Sequence, residues 1–153
     1  MTLVWLLLTL SAATFFFYLQ VTCQKILRRQ FDREYFQSVA KAIRLEFPSL
    51  RKSLEESHAP ADYSRLRLML KSDFRALTFL LEDVTKASQG YSKEERLLVL
   101  YFHWQFLSLA VRHWLNGGEE KAFLRLTSVL QYFANVVGQR AQSVGFGNLI
   151  ANH

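Results

Sequence analysis

Two histidines, His103 and His113, lie in the most aromatic stretch of the chain, among Tyr101, Phe102, Trp104, Phe106 and Trp114. An imidazole in such surroundings is the arrangement that presents an axial ligand to a haem or a pigment. Ten positions are about 1000° of helical rotation, so the two rings do not share a face as the i, i+4 pair of a zinc-protease helix does. Aromatic residues around a histidine on a buried helix also make ordinary core, and that is the reading preferred here. No cofactor and no metal is expected, with His103 and His113 the residues to watch for one. His58 and His153 fall in an expected loop and in the tail, on the surface.

The acidic residues come in adjacent pairs, Glu55/Glu56, Glu82/Asp83, Glu94/Glu95 and Glu119/Glu120. Neighbours on a helix diverge by about 100°, so these pairs do not face each other as an acid–base dyad must. The last two pairs suit the positive ends of helices. Cys23 is the only cysteine, which excludes an intrachain disulfide, a CxxC motif and a thiolate zinc cluster. It falls where an anchor would leave the membrane; acylation is conceivable there, but a small residue at a helix turn is the simpler reading. No phosphate-cradling glycine loop and no nucleophile elbow occurs, and Gly145-x-Gly147 neither follows a strand nor opens a helix. The chain is expected not to be an enzyme, and no small-molecule substrate is evident.

The element that most constrains any function is the first. Met1 to Gln24 carries no charged side chain, and Leu3–Val21 (LVWLLLTLSAATFFFYLQV) is apolar on every face of a helix. About 20 such residues cross a ~30 Å hydrocarbon layer. Its eleven Leu, Val and Phe residues, at roughly −0.3 to −0.6 kcal/mol each, favour insertion by several kcal/mol. A cleaved signal peptide fits less well: the n-region lacks a basic residue, the apolar run is long, and Ser11-Ala12-Ala13 comes too early for a cleavage site. That small-residue patch, Ser11, Ala12 and Ala13, is where a second transmembrane helix could approach closely.

Lys25, Arg28, Arg29 and Arg33 follow at once, a basic collar suited to anionic lipid headgroups. Basic flanks stay in the cytoplasm, so the expected topology is N-terminus outside and C-terminal domain cytoplasmic. The net charge of +6 is concentrated there: residues 25–52 hold eight basic and three acidic side chains, whereas 53–153 hold eleven and ten. A basic chain otherwise suggests nucleic acid; with the excess beside the membrane, no nucleic-acid partner is expected.

Periodicity places the remaining elements. Ile26, Leu27, Phe31, Tyr35, Val39 and Ile43 form one stripe, giving an amphipathic helix over about 25–46 that either continues the anchor or bends onto the headgroups. Phe47-Pro48 ends it, and Pro48 opens a short helix to about 57. Leu66, Leu70, Phe74, Leu77, Leu81 and Val84 mark a helix over about 60–88. Ser92-x-x-Glu95 is a capping box for one over 93–115, and Asn116-Gly117-Gly118 stops it. Phe123, Leu126, Leu130, Phe133 and Val137 mark the last, about 119–140. The third of these long helices is apolar nearly all round at Leu97–Val111; at about 15 residues it is short for a span, so it is expected at the centre of the bundle.

The fold expected is therefore all-α: an anchor over 1–24, a basic juxtamembrane helix over 25–47, an antiparallel helical bundle over 48–142 and an irregular tail over 143–153. With no catalytic motif and many aromatic residues, the expected function is that of an accessory, assembly or scaffolding subunit bound to other integral membrane protein subunits. The alternatives are a membrane-tethered regulatory module for a soluble cytoplasmic partner, and a haem- or pigment-binding helical protein.

Overall fold

The computed structural model describes residues 1–28, 35–56, 62–87, 91–115 and 118–143. They form six helices: α1 Thr2–Leu27, α2 Phe36–Ala42, α3 Phe47–Glu56, α4 Tyr63–Ala87, α5 Lys93–Trp114 and α6 Glu119–Ser143, with no strand among the described residues. The all-α reading holds, and α1 is long and apolar enough to cross a membrane.

Among the helix starts, those of α4 and α5 have a local cause and that of α3 does not. At α5 the capping box is complete: Ser92 Oγ accepts from the Glu95 amide at 3.2 Å and Glu95 Oε2 accepts from the Ser92 amide at 3.0 Å. α4 begins after Asp62, whose Oδ1 accepts from the Ser64 amide. The exception is α3, whose first amides are capped from another helix. Asp73 Oδ2, buried on α4, accepts from the amides of Glu46 at 2.9 Å and Phe47 at 2.7 Å. Pro48, lacking an N–H, then costs the first turn nothing.

The juxtamembrane helix differs from expectation at its end. α1 continues as one helix through Lys25 to Leu27, and the helical pattern is next described in α2, which stops at Ala42 rather than Glu46. The join over 29–34 lies outside the described residues, as does the tail over 144–153. α2 closes with Arg44 in the left-handed region (φ 52°) and the Leu45 amide donating to the Ala40 carbonyl at 2.9 Å. That is the Schellman closure, here with arginine where glycine is usual.

α6 is the centre of the bundle. It packs against α4, α5, α2, α3 and α1, and Leu126, Thr127, Val129, Leu130, Phe133 and Ala134 are sealed from solvent. The expectation that α5 is central is thus corrected. α5 buries Leu98, Tyr101, Phe102, Gln105 and Leu109 on one side and exposes Leu100, Leu107 and Val111 on the other. The physical reason is that α6 carries the small residues Ala134 and Gly138, which let neighbours come close on several sides. A Cβ on Gly138 would lie 2.3 Å from Tyr35 Cβ. Asn135 Oδ1 accepts from the Tyr35 amide at 2.8 Å in the same turn, tying the start of α2 to α6. At the far end of α6, Arg140 donates to the buried Glu95 carboxylate, fastening α6 to the first turn of α5.

Candidate membrane and partner interface

α1 is two helices in one as far as its surroundings go. From Leu3 to Leu10 every large side chain is more than half exposed, and Phe15, Phe17 and Tyr18 are exposed too. Below them, Phe16, Leu19, Cys23, Ile26 and Leu27 turn onto the bundle; Leu19 is 2% exposed and Cys23 fully buried. The spacing of three and four residues makes this a continuous seam along one side. Phe16 stacks on Trp104 of α5 with ring centroids 3.8 Å apart, and the Cys23 thiol donates to the Leu97 carbonyl. Seven residues separate the contacts on each helix, in opposite directions, so α1 and α5 run antiparallel side by side. Burying one leucine such as Leu19 is worth about 1.5–3 kcal/mol, so a seam of five residues holds the lower half of α1 firmly.

That register fixes which end of the bundle points the same way as the free half of α1. It is the end where α5 finishes and where α4 and α6 begin. Tyr63, at the start of α4, stacks on His113 at 3.8 Å and meets Phe123 of α6 edge-on. Trp114 and Leu115 stand there 84% and 66% exposed. Polar residues described at this end include Asp62, Arg65, Arg67, Arg112, Glu120, Lys121 and Arg125. The Arg67 guanidinium sits over the Phe106 ring at 4.9 Å, covering apolar surface with its stem.

Leu100, Leu107, Val111 and Trp114 recur at helical spacing, so they share one flank of α5, next to the side that carries α1. His103 is on the same flank, its Nδ1 2.8 Å from the Val99 carbonyl and its ring edge-on to Phe74. His113 is stacked on Tyr63. The structure does not bring the two histidines together, and no group of three or more His, Cys, Asp or Glu side chains is arranged to hold a metal among the described residues.

Of the membrane residues singled out by sequence, Lys25 and Arg28 are exposed at the lower end of α1, and Arg29 and Arg33 lie outside the described residues. Ser11, Ala12 and Ala13 are all exposed. Ser11 and Thr14 floor a shallow concavity of about 570 Å³ walled by Leu7, Leu10, Phe15 and Tyr18, on the face of α1 turned away from the seam.

A second surface was not legible in the sequence. Between α2 and α3 an open groove of about 870 Å³ is lined by Lys41, Arg44, Arg51 and Lys52 over Ala40, Leu45 and Pro48. One acidic residue, Glu55, faces these four cations and holds Arg51 at 3.1 Å. The left-handed turn at Arg44 is what folds α3 back beside α2 and gathers charges that are spread over twelve positions of chain.

No protein-family model, curated protein or solved structure matches this chain.

Proposed function

We propose that this protein is a non-catalytic accessory or assembly subunit of a larger integral membrane complex, held by α1 as a single span with its N-terminus outside and the helical bundle in the cytoplasm. The observation that carries this is the division of α1. Its upper half exposes large apolar side chains on every face, which water does not tolerate and a bilayer does. Its lower half is welded to α5, which holds the bundle at the membrane surface instead of on a loose tether. Lys25 and Arg28 at the lower end supply the basic flank that sets orientation. The notch at Ser11 and Thr14, turned away from the bundle, is the place where a partner's transmembrane helix packs.

Purification from native membranes in mild detergent, with identification of the co-purifying chains, tests this. Stoichiometric integral membrane partners are expected. A solitary monomer would overturn the subunit reading. The basic groove between α2 and α3 favours one other reading, a membrane-tethered module that captures an acidic segment of a soluble partner. Capture that fails on reversing Lys41 and Lys52 to glutamate, with no membrane partner found, would decide for it.

A further inference from the structure

We propose that Arg44 and Arg51, which line the groove between α2 and α3, grip the carboxylates of an acidic peptide segment of a partner protein, and that Glu55 competes with that segment for Arg51. This rests on the second reading above, the capture of an acidic segment. It adds which side chains hold the segment and which one opposes it.

The first argument is backbone strain kept for the sake of a side chain. Arg44 closes α2 at φ 52°, in the left-handed region that disfavours residues with a Cβ and that glycine adopts freely. The closure itself is made by backbone, from the Leu45 amide to the Ala40 carbonyl. Glycine would end α2 equally well at lower cost, so the guanidinium is what arginine adds. That guanidinium belongs to an exposed residue, lines the groove and has no ion-pair partner among the described residues. Strain held at such a place points to use of the side chain.

The second is preorganisation. Arg51 donates through Nη1 to Gln131 Oε1 of α6 and through Nε to Glu55 Oε1 at 3.1 Å. The bond to Gln131 fixes the guanidinium from the bundle. The bond to Glu55 takes up a donor that an incoming carboxylate would use. A planar guanidinium held in this way can engage a carboxylate through two bonds at once, which an ammonium cannot. Lys41 and Lys52 line the same groove and add attraction at longer range.

The third is the lining, which selects the class of ligand. Ala40, Leu45 and Pro48 give the groove apolar surface among its cations. A segment with aliphatic side chains set between acidic ones complements both. No aromatic ring is among the described lining residues, so the platform on which single-stranded nucleic acid stacks its bases is missing there.

The test uses the full chain in phosphatidylcholine nanodiscs and a fluorescein-labelled dodecapeptide of Glu-Glu-Leu repeats, read by anisotropy at low ionic strength. A peptide of Gln-Gln-Leu repeats is the control. The glutamate peptide should bind and the control should not. R44G should bind it about five- to tenfold more weakly, although its turn is relaxed and its fold no less stable. R44K keeps the charge without the planar fork and should fall between the two. E55Q should bind about threefold more tightly, because Arg51 keeps Gln131 and loses its competitor. Binding unchanged in both R44G and E55Q would overturn the assignment to Arg44, Arg51 and Glu55 while leaving acidic capture standing. No preference for the glutamate peptide over the control would overturn both, and would leave the accessory-subunit reading untouched. Displacement of the peptide by a lower concentration of single-stranded oligonucleotide or glycerol phosphate would make a phosphate-bearing ligand the occupant and overturn the peptide assignment.

Discussion

Replacing Gly138 by alanine sets two physical effects against each other, and the structure decides the sign. In a helix interior, glycine to alanine ordinarily stabilises by about 0.5–1 kcal/mol. Gly138 sits inside α6, yet a Cβ there would be 2.3 Å from Tyr35 Cβ, 3.0 Å from its Cγ and 3.3 Å from Val39 Cγ2. Carbon atoms at rest approach to about 3.5–4.0 Å, so the first contact is more than 1 Å too short. Tyr35 Cβ is bonded to backbone and cannot swing aside; the start of α2 has to retreat. That retreat stretches the Tyr35–Asn135 hydrogen bond, worth about 0.5–1.5 kcal/mol, and loosens Val39, which is 1% exposed. Overpacking of this kind costs about 1–3 kcal/mol, more than the propensity gained. G138A is therefore expected to be less stable than the parent by about 1–2 kcal/mol, read as the urea midpoint of the full chain in nanodiscs. Faster hydrogen exchange at the Val39 and Ile43 amides should accompany it. Tyr35→Gly removes the offending atom, so G138A/Y35G should recover part of the loss relative to the sum of the single variants. A G138A protein as stable as the parent, or more so, would refute the close approach of α2 to α6.

The Glu95–Arg140 pair yields a second prediction: E95A leaves the half-buried Arg140 guanidinium without its carboxylate and strips half of the α5 capping box, for a loss of about 1–3 kcal/mol. E95L/R140M, measured by the same denaturation, should lose much less than the two single variants together. At Arg44 the direction reverses, since R44G relieves a left-handed conformation that costs a non-glycine residue about 1–2 kcal/mol; a higher urea midpoint is expected, and an unchanged or lower one would count against the strained turn. For Asp73, burial pushes the carboxyl above its ordinary value, outweighing the pull of the Phe47 and Glu46 amides that it caps. The folded state thus holds this proton more tightly than the unfolded chain. The contribution of Asp73 is fully present below about pH 4 and is lost as pH rises through the raised folded value. The stability of D73N minus that of the parent should therefore climb over that window, and a difference that falls would contradict the sign.

Part of the bundle can be read from local signals, because the starts of α4 and α5 are set locally. Ser92 and Glu95 announce where α5 begins, Asn116 and Gly117 of its expected stop lie outside the described residues, and the stripe from Phe123 to Val137 marks the core side of α6. The places where reading fails are those where the cause is distant or the pattern is saturated. Nothing near Phe47 tells that Asp73, 26 residues away, caps it. Arg44 gives no hint of a left-handed turn, since glycine is what usually signals one. In α1 every face is apolar, so the seam of Phe16, Leu19 and Cys23 has no contrast against which to show. The same saturation misleads in α5: an all-round apolar helix implies that every side is covered, and protein covers only part of it. Charge and hydropathy suggest an anchor followed by a separate domain; the structure makes Cys23, expected at a membrane boundary, part of the bundle's core.

The central claim is that α1 enters the membrane and stays docked on α5 at the same time. A chain carrying F16C, W104C and C23S, treated in native membranes with a short bis-maleimide and then washed at alkaline pH, tests both halves together. The account predicts that the chain remains in the washed membrane pellet and runs there as the internally cross-linked form. Chain retained in the pellet without the cross-link, or cross-linked chain released by the wash, would contradict it.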